Sequence, residues 1–238
     1  MMHIDTRDQA NAIQSAPQET PALEVVNLAY GYTARDLVFE SVDFELYTGE
    51  VAFLTGPNGA GKSTLFRCIA GWMPAKTGCI RLFGQEAAAG ERPHRDGRPD
   101  LLLINDVPAF YDDMTAREHI DLILNANNAG RDARKRIANL VEDLGIAHQL
   151  DRLPSAYSRG MRQKLALSIA LAARPRVLLL DEPYGPLDPD SSDVLSAALR
   201  DAAADGCTML ISSHHEIAQL TPDVAFHLQD GALETREP

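Results

Sequence analysis

Residues 56 to 64 read GPNGAGKST and match the pattern G-x-x-x-x-G-K-[ST]. Glycines let a backbone wrap closely around phosphate oxygens, with successive N–H groups pointing inward. Lys62 is expected to reach the β- and γ-phosphates of a nucleotide, and the Ser63 hydroxyl is expected to ligate Mg²⁺. The predicted phosphate-binding residues are Gly56, Pro57, Asn58, Gly59, Ala60, Gly61, Lys62, Ser63 and Thr64.

The segments on either side of this loop match the context that the motif requires. Residues 50–55 (EVAFLT) form a short apolar run that is typical of a buried strand. Residues 64–70 (TLFRCIA) suit a helix that would end at Gly71. Strand, glycine loop and helix in this order would place a bound phosphate at the positive end of a helix, which favours nucleotide binding.

Composition and charge argue against several classes of protein. The chain has 238 residues and a formal net charge of -12, and this acidic balance argues against a nucleic-acid binder, which would carry a basic stripe. Cys68, Cys79 and Cys207 lack C-x-x-C spacing and are predicted to be reduced thiols of a cytosolic protein. We expect no membrane span and no signal peptide, because the sequence has neither a long apolar run nor an apolar leader. Residues 1–21 are predicted to form a flexible tail.

Periodicity along the chain predicts strands that alternate with helices. The predicted strands cover residues 23–30, 37–46, 79–83, 101–104, 177–180, 208–211 and 224–228. A turn around Gly31 is expected to join the first two strands, and residues 85–99 are predicted to form a loop. A capping box at Thr115–Glu118 predicts a helix, a second helix follows Gly130, and two more cover residues 158–173 and 190–204. The pattern predicts an α/β fold with a mostly parallel sheet and a helical block inserted near the middle.

Two further segments carry candidate functional residues. Residues 177–180 (VLLL) place Asp181 at the carboxyl end of a buried strand, where ligands bind in parallel α/β sheets. Asp181 is a candidate Mg²⁺ ligand, and Glu182 is a candidate for polarising the water that attacks the γ-phosphate. In residues 157–161 (YSRGM), Ser158 is placed to cap a helix whose N-terminus could bind an anion.

Over residues 22–236 these motifs, in this order, resemble the ATP-binding-cassette (ABC) family. GPNGAGKST matches the Walker A motif, VLLLDEP at 177–183 matches Walker B, and YSRGM stands where the signature usually reads LSGGQ. The resemblance implies a P-loop NTPase core with a mostly parallel sheet, an N-terminal antiparallel β subdomain and an inserted α-helical subdomain over about residues 106–173. It also implies that Asp188 ends the D-loop, that His214 is the switch histidine, although His215 lies beside it, and that Tyr32, with Tyr30 as the alternative, stacks on adenine.

The resemblance also implies an activity and its partners. Two such domains face head to tail, so ATP with Mg²⁺ would lie between Lys62 of one subunit and Ser158 and Gly160 of the other. The partner would be a second ABC subunit in a homo- or heterodimer, and the dimer would drive a separate transmembrane permease. The chain would then be cytoplasmic, peripheral on the inner face of the membrane, and would bind no nucleic acid.

Alternative functions remain open at this point. The form Y-S-x-G-M-x-Q resembles the ATPases of two-component exporters. A soluble ABC ATPase acting on ribosomes or DNA is a second possibility, although one cassette without sustained heptads disfavours it. A nucleotide-dependent regulator with slow turnover is a third.

Two departures from the family pattern bear on the chemistry of the site, whereas Met161, in place of the final signature glutamine, bears less on it. The glutamine that normally follows the strand before the helical block is replaced by Asp106, or by an amide at Asn105 if the loop shifts by one residue. Asp106 can still bind Mg²⁺ through water, but a carboxylate donates no hydrogen bond. Arg159 replaces the first signature glycine, and its side chain is expected either to pair with phosphate or to point into solvent.

Overall fold

The computed structural model describes residues 19–33, 36–86, 98–213 and 220–236, which form two sheets and five α-helices. The strands are β1 (Leu23–Thr33), β2 (Asp36–Leu46), β3 (Val51–Thr55), β4 (Thr77–Leu82), β5 (Gln85–Glu86), β6 (Leu101–Ile104), β7 (Val177–Leu180), β8 (Thr208–Ser212), β9 (Val224–Gln229) and β10 (Ala232–Arg236). The helices are α1 (Lys62–Ile69), α2 (Ala116–Ala126), α3 (Arg131–Asp143), α4 (Arg159–Ala173) and α5 (Pro189–Ala204). The predicted tail lies mostly outside the described residues, as do residues 87–97 of the predicted loop.

The first sheet is antiparallel, with strand order β2-β1-β4-β5. Its first two strands pair from Leu23 opposite Leu46 to Thr33 opposite Asp36. The predicted turn at Gly31 is therefore wrong, because Gly31 lies inside β1 and pairs with Leu37. A Cβ at position 31 would lie 2.2 Å from the Asp36 carbonyl oxygen. Glycine at this position allows β1 and β2 to approach each other closely, and it does not mark a turn.

The second sheet has strand order β10-β9-β3-β8-β7-β6, and all its pairings are parallel except that of β10 with β9. The predicted parallel strands are confirmed, and the chain turns after β9 through Asp230 and Gly231, both at positive φ. Strand β10 was not predicted. Its side chains are exposed apart from half-buried Leu233, so it lacks the apolar signal that marks the inner strands.

Each face of the parallel sheet is covered. On one side, Leu65 and Phe66 of α1 pack in a cluster with Leu54 of β3 and with Phe39 of the antiparallel sheet. On the other side, α4 and α5 pack on β7 and β8, every residue of which is buried. Because helices and the first sheet exclude water from both faces, the inner strands are continuous apolar runs without alternation.

Helices α2, α3 and α4 share a separate apolar cluster that includes Ile120, Val141 and Leu165. The predicted capping box is present, since the Thr115 side chain accepts from the Glu118 N–H and the Glu118 carboxylate accepts from the Thr115 N–H. This block is the inserted helical subdomain of the predicted fold, while its bounds at about 106 and 173 stay a prediction. None of the helices in the described part of the chain is long and apolar enough to cross a membrane.

Candidate functional site

Strand order gathers the chemical groups at one edge of the parallel sheet. Strand β8 lies between β3 and β7, so the carboxyl ends of these three strands are neighbours. The glycine loop follows β3, Asp181 follows β7, and Ser212 ends β8. The ends of parallel strands in an α/β sheet form the usual ligand crevice.

The backbone of the glycine loop adopts conformations that favour glycine. Gly56 has φ 146°, Gly59 φ 83° and Gly61 φ 104°. A Cβ at Gly56 would lie 2.2 Å from the Leu228 carbonyl oxygen, so no larger residue fits against β9. Helix α1 begins immediately after Gly61, and no side chain caps its N-terminus. The first N–H groups of α1 and its positive dipole end are therefore available to bind an anion.

Lys62 lies over this loop with 7% of its surface exposed. Its Nζ donates to the carbonyl oxygens of Gly56 at 2.7 Å and Pro57 at 3.3 Å. Burial lowers the pKa of the Lys62 ammonium, and the nearby charges of Glu182 and Asp181 oppose that shift. The cation of the loop and the two acidic residues after β7 therefore belong to one electrostatic site.

Ser212 joins the two acidic residues that follow β7. Its hydroxyl donates to Asp181 Oδ1 at 2.8 Å and accepts from the Glu182 N–H at 2.9 Å. Asp181 is 3% exposed and Ser212 is fully buried. One hydroxyl therefore orients a buried carboxylate and the backbone of the neighbouring residue. Ser212 is not among the residues predicted for the site, although the sequence shows a pair of small residues at the end of an apolar strand.

Glu182 is half-buried and has φ 51°, a left-handed conformation that is unusual for a residue with a side chain. Such backbone strain persists only where the surroundings impose it, and it concentrates at functional sites. Here the Ser212 hydroxyl holds the Glu182 N–H. The backbone directly after β7 is therefore strained at a candidate catalytic residue.

Tyr32 lies beside the glycine loop. It is 62% exposed and lines a cleft of about 450 Å³ together with residues 57–60 and the Asp230-Gly231 turn. Tyr30 instead packs against the core, with its ring centroid 6.2 Å from that of Phe39. Of the two aromatic candidates, Tyr32 is therefore the one beside the loop. The Asp230-Gly231 turn also lines the cleft, although neither residue is among those predicted for the site.

The signature segment lies on the helical block at the start of α4. The Ser158 hydroxyl accepts from the Met161 N–H at 3.2 Å and so caps the helix. A Cβ at Gly160 would lie 2.8 Å from the Pro186 carbonyl oxygen, so a glycine is needed where α4 meets the D-loop. A second link joins the same elements, because Lys164 Nζ lies 3.0 Å from Asp188 Oδ2.

Asp106 follows β6 by two residues and points to α4. Its Oδ1 lies 2.6 Å from Nη2 of Arg159, the first residue of that helix. Neither expectation for Arg159 describes this arrangement, since its side chain pairs with a carboxylate of its own chain.

Among the described residues, no three His, Cys, Asp or Glu side chains gather to hold a metal ion without other ligands. His214 and His215 lie outside the described residues.

A glycine loop before a helix, beside a buried aspartate at the end of a parallel strand, defines a nucleotide-binding α/β protein. This chain belongs to the ABC transporter family, whose model matches residues 39–185. It is 38% identical over 204 residues to the lipoprotein-releasing system ATP-binding protein LolD of Ruegeria sp. (strain TM1040), covering 84% of this chain and 89% of that one. It is 33% identical over 193 residues to the ABC-type transporter ATP-binding protein EcsA of Bacillus subtilis (strain 168), covering 81% of this chain and 76% of that one.

A solved structure of an ATP-binding subunit of an ABC transporter superposes with a TM-score of 0.79, at 30% identity over 90% of both chains. The predicted family, the fold class and ATP binding are thereby confirmed. The ABC ATP-binding homologues are ATPases, so the chain is an ATPase of this family.

Proposed function

We propose that the chain pairs with a second ABC subunit around ATP and Mg²⁺ and drives a separate membrane permease. The observation that carries this proposal is the arrangement of buried Asp181 and Ser212 with half-buried Glu182 beside Lys62, at the carboxyl edge of the sheet. Lys62 offers a positive charge to a phosphate. The carboxylates of Asp181 and Glu182, in the same place, can bind a metal ion and a water molecule. ATP would be the source of energy, and the permease would be a different polypeptide.

In this proposal the glycine loop and the N-terminus of α1 hold the phosphates, with Lys62 exchanging the loop carbonyls for the β- and γ-phosphate oxygens. The adenine would stack on Tyr32, in the cleft that runs along the loop. Ser158 and Gly160 would contact the nucleotide bound to the partner. The support for this last role is the N-terminus of α4, where the Ser158 hydroxyl takes the Met161 N–H and the other N–H groups of the first turn can bind an anion.

The donor set fits Mg²⁺, which prefers oxygen ligands and keeps several water molecules. Ser63 offers a hydroxyl, and the Asp181 carboxylate has more lone pairs than its one bond from Ser212 uses. Asp106 would contact the Mg²⁺ ion only through a water molecule. When bound, the ion neutralises charge on the β- and γ-phosphates.

For hydrolysis, Glu182 would accept the proton of a water whose oxygen attacks the γ-phosphorus. A new P–O bond forms as the bond from the γ-phosphorus to the bridging oxygen breaks, and ADP and phosphate leave. Lys62 would offset the negative charge on the transferred group. We assign to His214 a contact with the γ-phosphate, from the family pattern alone.

We further propose that transport runs outward. The support is the signature form Y-S-x-G-M-x-Q and the 38% identity to an ATP-binding protein of a lipoprotein-releasing system. The direction is tested by reconstituting the chain with its permease in vesicles, with ATP supplied on one side only. Loss of cargo from the ATP side would support export, and accumulation there would contradict it.

The transport assignment is tested with Glu182→Gln, which should bind ATP without hydrolysing it and so hold the assembly closed. The tagged variant is expressed in the native host, and membranes are solubilised gently with ATP present. A multi-helix membrane protein at comparable abundance is expected to co-purify.

The matched control is Glu182→Gln combined with Lys62→Ala, which should lose the ATP-dependent part of that recovery. If Glu182→Gln is recovered only from the soluble fraction, with ribosomal or DNA-repair proteins, transport is the wrong assignment. An inactive wild-type chain would contradict the assigned site.

A further inference from the structure

Two of the positions at which this sequence departs from the family pattern, Arg159 and Asp106, contact each other. Arg159 Nη2 lies 2.6 Å from Asp106 Oδ1, although 53 residues separate them. One residue stands where the signature glycine is usual, and the other stands where a glutamine is usual. The two substitutions therefore form one feature of this chain.

The position of Arg159 explains why a carboxylate is needed beside it. Arg159 is the first residue of α4, where the positive end of the helix dipole disfavours a cation. The helix start cannot shift easily, because Ser158 caps it and Gly160 packs against the Pro186 carbonyl. Asp106 supplies the negative charge that offsets both the guanidinium and the helix end.

The Arg159 guanidinium can readily exchange Asp106 for another anion. The side chains of Arg159 and Asp106 are 59% and 40% exposed, and ion pairs this accessible to water contribute little to folding stability. A guanidinium binds phosphate with two parallel hydrogen bonds, so a nucleotide phosphate would compete well with a single carboxylate oxygen. Arg159 also lies between Ser158 and Gly160, which the proposed function places against the partner's nucleotide.

We propose that Arg159 is an additional nucleotide-binding residue that contacts the phosphates of the ATP held by the partner subunit. Asp106 is a positioning residue that acts through Arg159, competing with that phosphate while the subunits are apart. Closure of the dimer transfers the guanidinium from Asp106 to the phosphate. This inference rests on the proposed function, because it needs ATP between two subunits.

The proposal predicts opposite effects for the two halves of the pair. Arg159→Ala should raise the KM for ATP roughly 10-fold, the cost of one charge-assisted contact. Asp106→Gln, which restores the usual glutamine, should lower KM by up to about 5-fold, because Arg159 no longer has a competitor. In the Arg159→Ala background, Asp106→Gln should leave the KM for ATP unchanged. The single variant Arg159→Lys should keep part of the affinity for ATP.

A purely structural ion pair would behave differently, because removing either partner would shift the melting temperature and the activity in the same direction. The test is steady-state ATP hydrolysis by the tagged chain together with whatever co-purifies from the native host. Thermal unfolding is measured alongside. Arg136→Ala removes an equal charge from an exposed position on α3 and is the matched control, expected to keep the wild-type KM.

Three results would overturn this inference and leave the proposed function standing. The first two are an unchanged KM in Arg159→Ala, and equal shifts of the same sign in Arg159→Ala and Asp106→Gln. The third is an unchanged KM for ATP in Asp106→Gln, whatever its kcat, because removal of Asp106 should remove the competitor of the phosphate. A wild-type preparation without ATP hydrolysis would instead overturn the proposed function, and this inference with it.

Discussion

The Ser212 hydroxyl lies 2.8 Å from Asp181 Oδ1 and also accepts the Glu182 N–H, so the end of one strand orients the acidic pair at the end of its neighbour. All three groups lie at the edge of the sheet where β3, β7 and β8 end together. A buried carboxylate needs such donors, because an unpaired charge in the protein interior is costly.

We expect Ser212→Ala to lower both stability and turnover. The free energy of unfolding should fall by about 1–3 kcal/mol, because buried Asp181 loses a donor, and kcat should fall because Glu182 is less well oriented. Urea unfolding and ATP hydrolysis measure the two effects. Ser155→Ala, at an exposed position, is the control, and a Ser212→Ala protein with the properties of this control would contradict the assigned bridge.

Gly56→Ala should destabilise the protein by on the order of 3 kcal/mol and abolish nucleotide binding. The added Cβ would lie 2.2 Å from the Leu228 carbonyl oxygen, at a backbone φ of 146° that other residues rarely adopt. Gly130→Ala is the matched control, since a Cβ there meets nothing within 4 Å and its φ is -70°. Thermal unfolding and binding of a fluorescent ATP analogue distinguish the two variants, and equal tolerance of both would show that the loop packs differently.

The three thiols should react at very different rates. Cys68 and Cys207 are 2% and 3% exposed, and burial raises their pKa values to about 11 and about 12. Since only the thiolate is nucleophilic, both should resist alkylation at pH 8, while half-buried Cys79 reacts first. Mass spectrometry after a short exposure to iodoacetamide identifies the modified residue, with Cys79→Ser as the control. Early modification of Cys68 or Cys207 would contradict their burial.

Asp188 should give a stabilisation that depends on pH. Its carboxylate accepts from the Ser191 N–H at 2.9 Å and from Lys164 Nζ at 3.0 Å, and these contacts hold its pKa well below the ordinary value of 3.8. Because the folded-state pKa is depressed, the contribution is present above pH 3.8 and is lost as the pH falls through the lower, folded value.

We therefore expect Asp188→Asn to lower the free energy of unfolding by up to about 1 kcal/mol at pH 7, since the side chain is 55% exposed and screened by water. The difference from wild type should be constant between pH 5 and 8 and shrink below pH 3.8. Urea unfolding at several pH values measures it, with Asp112→Asn, at an exposed position, as the charge-matched control. A difference that grew on acidification would reverse the assigned sign.

Local patterns were sufficient for the parts of this protein that local chemistry determines. The phosphate loop follows from glycines at set spacing before Lys62, the capping box from Thr115 and Glu118 three residues apart, and β7 from four consecutive apolar residues. Each of these signals lies within a few residues, so a sequence contains it completely. The ABC family and the α/β fold class follow from such signals in their order.

Contacts between distant segments were decided by the tertiary structure. Ser212 reaches Asp181 because β8 lies beside β7, and Arg159 reaches Asp106 because α4 begins near the end of β6. Gly31 lies inside a strand because a neighbouring backbone passes within 2.2 Å of where its Cβ would be. Strand order and helix packing bring these groups together over separations of 31 and 53 residues. Periodicity reports only which face of an element is buried, and it carries no information about which neighbour that face will meet.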